Sequence, residues 1–392
     1  MSEALFSLAD IHYGKSPGDV RDEDGAYPVY GTGGVYLKSR EALFLGPGII
    51  VARKGSLGRP HFSAGPYWAS DTTYAVIPIA PTSPKWLYYQ LCNFELEKLN
   101  EATGVPSISR DLLSRVNFPE QTPDQQKKIA TILETVDEAI ERTQALIGKY
   151  EQVKAGMMQD LFTRGLTPDG KLRPPRHDAP DLYQDTPIGW IPKDWEVRPA
   201  SELCHNIIDC KNRTPPVTAG GFPVIRTSNV RRGRFIDVGL NFTDHASYVV
   251  WTARGAPIVG DIVITREAPV GEVCAIPERH PYACLGQRMM LYRTNPAEVD
   301  KFYFLHVLQS QRLRNYLDLI SGGSTVGHVK VGEIRELPIP TPTSLAEQAE
   351  IAKIIERQAE YLGVLGDDLQ KLRQQKSGLM QDLLTGKVHV EG

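Results

Sequence analysis

The chain has 392 residues, a formal net charge of −3, and ordinary globular composition: 41% hydrophobic, 23% charged and 8% aromatic. That length allows two or three domains with their own cores. No apolar run reaches the ~18–20 residues that cross a bilayer, and the start, MSEALFSLADIHYG, has neither the basic opening nor the apolar core of a secretory signal. The five cysteines (Cys92, Cys204, Cys210, Cys274, Cys284) are odd in number and contain no C-x-x-C pair, which predicts free thiols in a reducing cytoplasm rather than a disulfide frame or zinc site. A dedicated DNA binder is often strongly basic, so any basic surface here must be local, or a partner must supply part of the grip.

Residues 1–121 read as a first globular segment of short strands and one or two helices. Pro28-Val-Tyr30 is an early short strand, and Gly48-Ile-Ile-Val-Ala-Arg53 is an apolar strand running into an arginine and then the turn glycine Gly58. Trp86-Leu-Tyr-Tyr-Gln-Leu91 has helical amphipathicity, and Val116-Asn-Phe-Pro119 closes the segment as a proline-ended strand.

A helix follows over 122–163. Thr122-Pro123-Asp124 is a start signal, and apolar side chains recur by alternating steps of four and three, including Ile129, Leu133, Ile140 and Ile147, with Lys154 on the same stripe. That is a heptad seam. About 40 residues of helix would be ~60 Å long and cannot bury such a stripe alone. Residues 164–188, rich in Pro, Gly and charge, read as an irregular linker. Gly165-Leu-Thr-Pro-Asp-Gly170-Lys171 fits the P-loop spacing, but Leu172 follows in place of Ser or Thr and Pro168 interrupts it, so it predicts no nucleotide site.

Residues 189–342 form a second globular segment opening on Gly189-Trp-Ile-Pro-Lys-Asp-Trp195. It repeats the first: Pro223-Val-Ile225, Asp261-Ile-Val-Ile-Thr-Arg266 with Gly271, Phe302-Tyr-Phe-Leu-His-Val307 and Leu337-Pro-Ile-Pro340 stand in matching order. A second helix over 343–386 completes the duplication. Residues 125–163 align without a gap on 347–385 at a constant offset of 222, from Gln126/Gln348 and Ile129/Ile351 to Gly156-Met-Met-Gln-Asp-Leu161 against Gly378-Leu-Met-Gln-Asp-Leu383. Its seam carries Ile351, Ile355, Leu362, Leu369 and Lys376. Two such helices pairing with each other is the economical solution; an ordinary hairpin within one domain is the alternative, opposed by the long sequence between the copies. Lys154 and Lys376 stand at equivalent seam positions, where a polar side chain costs stability but can fix register.

Catalytic patterns are missing. There is no Asn/Asp-Pro-Pro-aromatic motif of an amino-methyltransferase, no Glu-x-Lys triplet of a metal-dependent nuclease, and no H-x-x-x-H among nine histidines, so no catalytic or metal-binding residue is predicted. Candidate DNA contacts are Lys38, Arg40, Arg53, Lys54, Arg59, Thr72, Thr73, Ser107, Ser109 and Arg110 in the first half. In the second they are Arg226, Ser228, Asn229, Arg231, Arg232, Arg234, Arg266, His328 and Lys330. Arginine reads guanine edges and asparagine adenine, while hydroxyls and lysines hold phosphates.

Taken together, Gln125-Gln-x-x-Ile-Ala130 with its repeat Glu347-Gln-x-x-Ile-Ala352, the proline-ended strands before them, Gly-x-Met-Gln-Asp-Leu near each helix end and the Gly-x-Ile-Pro-x-x-Trp opening resemble the specificity subunit of type I restriction–modification systems, over essentially the whole chain. The first half departs in lacking that Gly-x-Ile-Pro-x-x-Trp opening. The resemblance implies a mixed α/β fold: two target-recognition domains separated by two long repeated helices that pair as an antiparallel coiled coil and act as a ruler. It implies sequence-specific recognition of a bipartite site in double-stranded DNA by a subunit without catalysis. The partners implied are two methyltransferase subunits and restriction/translocase subunits, carrying S-adenosylmethionine, ATP and Mg. A non-catalytic coiled-coil scaffold whose globular domains bind protein is the alternative reading.

Overall fold

A computed structural model describes residues 2–322 and 327–390. The chain divides into two compact units, one formed by 1–146 with 365–392 and the other by 147–364. Each is built on the same plan.

In the first unit a four-stranded antiparallel sheet runs in the order Ala9–Tyr13, Thr73–Pro78, Gly48–Ala52, His61–Ser63. The second unit repeats it as Cys204–Asp209, Met289–Thr294, Ile262–Thr265, Val273–Ala275. Each unit adds a three-stranded sheet whose central strand, Tyr27–Gly31 or Phe222–Ile225, has one antiparallel neighbour and one short parallel neighbour. The continuous apolar runs Ile49-Ile-Val51 and Ile262-Val-Ile264 are buried on both faces, which explains why they do not alternate in polarity. The proline-ended strands pair antiparallel with Ser2–Ala4 in the first unit and Trp195–Pro199 in the second. Ser2–Ala4 therefore takes the place of the strand that begins at Trp195.

Helices Pro84–Asn93 and Lys301–Val307 occupy equivalent places, but their register differs by one from the match expected from sequence: Trp86 corresponds to Tyr303, both fully buried. A repeated glutamine fixes the match. In the first unit the buried Gln126 accepts the Ser83 N–H at 2.8 Å through Oε1 and donates to the Gln121 carbonyl at 3.1 Å through Nε2. In the second, Gln348 accepts the Asp300 N–H at 2.7 Å and donates to the Pro342 carbonyl at 2.8 Å. Ser83 and Asp300 are the N-caps of the two short helices. One side chain thus ties the short helix to the chain entering the long one. Removing it strands a buried N–H and a buried C=O at once. Gln126→Ala is expected to destabilise the first unit by about 2–6 kcal/mol, at roughly 1–3 kcal/mol for each of the two orphaned groups. Gln126→Glu, which cannot donate to Gln121, should recover little of it; thermal melts of the two variants check this.

The two long helices span Pro123–Arg164 and Leu345–Leu384. Thr122 and Gln125 close a reciprocal capping box on the first (Gln125 N–H to Thr122 Oγ1 3.3 Å, Thr122 N–H to Gln125 Oε1 3.0 Å). In both units the helices pair antiparallel. In the first, Ile129 and Leu133 share a core with Leu379, Leu383 and Leu384, and Lys376 meets Asp137. In the second, Leu161 and Phe162 pack with Ile351 and Ile355, and Tyr150 sits edge-on to Tyr361 with ring centroids 4.7 Å apart. Ile129, Leu133, Ile351 and Ile355 are buried, whereas Ile140, Ile147, Lys154, Leu362, Leu369 and Lys376 are half-buried.

Neither seam lysine simply reaches for solvent. Lys376 Nζ lies 2.5 Å from Asp137 Oδ1 and over the Tyr89 ring, while Tyr89 donates to Asp137 Oδ2 at 2.8 Å. Lys154 is held below the usual lysine range by burial and then by the charge of Arg234, against the opposing pull of Glu356. Glu356 in turn bonds His306. An acid on the facing helix therefore accompanies the repeated lysine in each unit.

Linker residues 164–188 are irregular but include a buried element. Gly165 (φ +63°) ends the first long helix in the left-handed conformation, its N–H bonding the Leu161 carbonyl. Arg173, 6% exposed, folds back onto Glu347 (Nη1 to Oε1 2.6 Å), Asp194 and the Arg164 carbonyl. A Cβ on Gly165 would lie 2.4 Å from Arg173 Nη1 and 2.5 Å from Glu347 Oε1. Only glycine fits there.

Candidate nucleic-acid interface

Strand register decides which loops come together. In the first unit Tyr13 pairs with Tyr74 and Ala52 with Thr73, so Lys15, Arg53, Lys54 and Thr72 all leave from one end of the four-stranded sheet. The loop before Arg110 folds onto the same end: Lys54 and Ser107 form a bridge, Gly55 N–H bonds the Pro106 carbonyl at 2.8 Å, and Ile108 N–H bonds the Arg53 carbonyl at 3.0 Å. Lys15, Lys54 and Arg110 are exposed. The Arg53 guanidinium lies 5.1 Å from the Tyr13 ring centroid and donates to the Asp71 carbonyl at 3.2 Å.

The second unit repeats the arrangement. Asp209 pairs with Met290 and Thr265 with Met289, bringing Lys211, Arg266 and Arg288 to the equivalent end. Arg266 N–H bonds the Arg288 carbonyl at 2.9 Å, as Arg53 N–H bonds that of Thr72 at 2.9 Å. Val329 N–H bonds the Arg266 carbonyl at 3.1 Å, carrying His328 and Lys330 alongside. Glu267 joins His328 Nδ1 at 2.7 Å and Arg288 Nε at 3.0 Å, while Lys330 is exposed.

Arg231, Arg232 and Arg234 are exposed on a hairpin of Val230–Arg231 with Arg234–Phe235, turned by Arg232 and Gly233 at φ +46° and +79°, the two-residue geometry that suits strand twist. Its tip reaches the same end of the sheet. Arg232 N–H bonds Glu272 Oε2 at 2.5 Å, and Glu272 lies opposite Thr265. Asp237 braces the base: its carboxyl is held at about 2 by bonds from Arg279 and then His280, and both of those side chains pack against Phe235.

Several expected contacts are corrected by burial. Thr73 is fully buried, and its hydroxyl donates to the Ser70 carbonyl at 2.8 Å. Asn229 is fully buried: its Oδ1 accepts the Arg226 N–H at 3.1 Å and its Nδ2 donates to the Ile236 carbonyl at 2.9 Å. Arg266 is 6% exposed and bonds the Val329 carbonyl. These three side chains hold loops in shape. Ser109 caps helix Arg110–Ser114 by accepting the Leu112 N–H, and Arg226 is tied to the Gly239 carbonyl at 2.7 Å. Ser228 is exposed. Lys38 and Arg40 belong to the small sheet and its following turn, where Arg40 bonds the Asp19 carbonyl. Arg59 lies in an open recess of about 340 Å³ that also includes Glu134, Asp137, Glu138 and Glu141 of the first long helix. Sequence reasoning missed Lys15, Lys211 and Arg288, which carry no motif and become neighbours of the other cations only through strand pairing.

Burial pushes the thiols of Cys92 up to about 11 and of Cys204, Cys274 and Cys284 up to about 12, so these four are poor nucleophiles at neutral pH. Among the described residues no cluster of three His, Cys, Asp or Glu side chains could hold a metal ion, and no helix is long and apolar enough to cross a membrane.

The family described as the Type I restriction modification DNA specificity domain matches residues 4–151 and 192–361, one match in each half and together most of the chain. The chain belongs to this family. As a type I specificity subunit it supplies sequence-specific DNA recognition to a restriction–modification complex and is not itself the catalyst. Among its relatives is a specificity subunit assigned to the MjaX type I restriction enzyme of Methanocaldococcus jannaschii, 26% identical over 321 residues, covering 79% of this chain and 69% of that one. The MjaVIII specificity subunit of the same organism is 23% identical over 312 residues, covering 78% and 70%. The fold is shared with the crystal structure of a type I S subunit from M. genitalium (TM-score 0.64, 16% identity, 98% of this chain and 96% of that one). A chain from a study of complex assembly in the type I system is also similar (TM-score 0.55, 14% identity, 99% and 98%).

Proposed function

We propose that each unit of this specificity subunit reads one half of a split site in double-stranded DNA, using the cationic loops at the end of its four-stranded sheet. The observation that carries this reading is the repetition of that sheet end, with Lys15, Lys54 and the 101–110 loop in one unit and Lys211, Arg288 and the 327–330 loop in the other. The loops differ in sequence while the sheets match, as two readers of different half-sites require. The working complex, in the cytoplasm, would add two methyltransferase subunits and restriction/translocase subunits. S-adenosylmethionine, ATP and Mg would be bound by those subunits. A net charge of −3 is compatible with DNA binding when partners help enclose the duplex.

Exchange of residues 1–121 for the same segment of a relative tests the reading. In the reconstituted methyltransferase complex, sequencing of methylated sites should show one half of the motif replaced and the other retained. If both halves change together, or neither does, the two-reader assignment is wrong.

A further inference from the structure

We propose that Trp251, with Lys211 and Arg213 over its ring, forms a DNA-contact platform specific to the second unit; this rests on the half-site reading above. Helix His245–Trp251 (HASYVVW) is apolar in sequence, yet none of its residues is buried, and Val249 and Val250 are 52% and 41% exposed. It belongs to a stretch unique to the second unit. Residues 244–261 connect the strands there, eighteen residues against the eight of 40–47 in the first unit. Tyr248 stacks on Phe222 with ring centroids 4.2 Å apart, which holds the helix on its unit, while the two valines stay exposed and contribute little to stability by burial.

The helix is nonetheless firmly anchored, and at the end of the sheet that carries the reading loops. Arg254 pairs with Asp209 Oδ2 at 2.7 Å, at the last residue of strand Cys204–Asp209. The Trp251 indole N–H donates to the Arg213 carbonyl at 2.9 Å. Lys211 Nζ and the Arg213 guanidinium lie 5.3 and 5.0 Å from the indole centroid, and among the described residues neither makes an ion pair. Two cations sharing one ring repel each other, and a polyanion relieves that repulsion. An aromatic ring rimmed by two such cations fits duplex DNA: phosphates take the charges, while the ring meets deoxyribose carbons or a thymine methyl. The first unit uses its indole differently. Trp68 donates to the Lys15 carbonyl at 2.7 Å, holding the equivalent loop, but is only 8% exposed; there the exposed ring is Tyr13 beneath Arg53.

The test uses the assembled methyltransferase complex on DNA carrying its methylated motif. Lys211→Ala/Arg213→Ala should weaken binding to all duplexes and reduce the slope of log K against log salt by about 2, near 0.9 for each phosphate no longer neutralised. Trp251→Ala should weaken binding to the motif by about tenfold and relax the half-site read by the second unit, leaving the first stringent. Trp251→Phe should restore part of that loss. Wild-type affinity, salt slope and stringency in folded variants would overturn the platform. Should Trp251→Ala fail to fold, the double alanine variant, which keeps the indole, decides alone. If exchange of the first unit changes one half-site while these variants change nothing, the platform is wrong and the two-reader assignment stands.

Discussion

Arg173→Met is expected to lower the stability of the second unit by about 3–5 kcal/mol, the range for removing one partner of a buried ion pair. The Glu347 side chain is 9% exposed. It accepts four hydrogen bonds, two from Arg173 and one each from the Leu166 N–H at 2.8 Å and the Trp195 indole at 3.1 Å. Methionine keeps the apolar stem but leaves the carboxylate with only the last two. The same change frees the Arg164 carbonyl, one of the last C=O groups of the first long helix, which Arg173 bonds at 3.2 Å. The loss should appear as a fall of roughly 6–20 °C in the melting transition of this unit, at about 2–4 °C per kcal/mol for a domain of this size. Removing both charges, in Arg173→Met/Glu347→Gln, should recover part of it, since an amide tolerates burial better than an unpaired carboxylate. A single variant melting within a degree or two of the parent would show that the network contributes little.

Glu347 also marks where sequence reading stops. It repeats Gln125, and from spacing alone both are third-position capping residues. Gln125 does close a capping box with Thr122, whereas Glu347 turns away to Arg173, 174 residues distant in sequence. Periodicity reveals which residues lie on a stripe, because the helix repeat is local. It cannot reveal a partner in a proline-rich linker. The long helices, their seam and the order of strands were legible because the duplication supplied an internal alignment, with Gln126 and Gln348 making the same two bonds in both copies. The candidate DNA contacts were legible only by type. Asn229 and Thr73 have the right chemistry for reading bases or holding phosphates, but their polar atoms are spent on neighbouring backbone. Lys15, Lys211 and Arg288 sit among ordinary residues and gain meaning from which strand ends lie together. Trp251 lies in a segment with no counterpart in the other half, so the repeat offered nothing to compare it with.

Lengthening both long helices by one heptad is expected to shift the preferred spacer between half-sites and weaken binding to the present one. Each helix begins in one compact unit and ends in the other. Seven residues added after Leu146 and seven after Val364 keep the seam in phase and add ~10 Å at 1.5 Å per residue. DNA rises 3.4 Å per base pair, so the added length matches about 3 base pairs. Those base pairs also rotate the second half-site by roughly 100°, since the duplex turns once in about 10–10.5 base pairs. A heptad leaves the second reader facing nearly the same way, so the gain in length and the rotation of the target oppose each other. The optimum should therefore move and the affinity at the new optimum should stay below that of the parent. Half-site sequences should be retained, because no loop at the sheet ends is altered. Methylation of a library with graded spacers measures both effects, and an unchanged optimum at full activity would remove the ruler role from these helices.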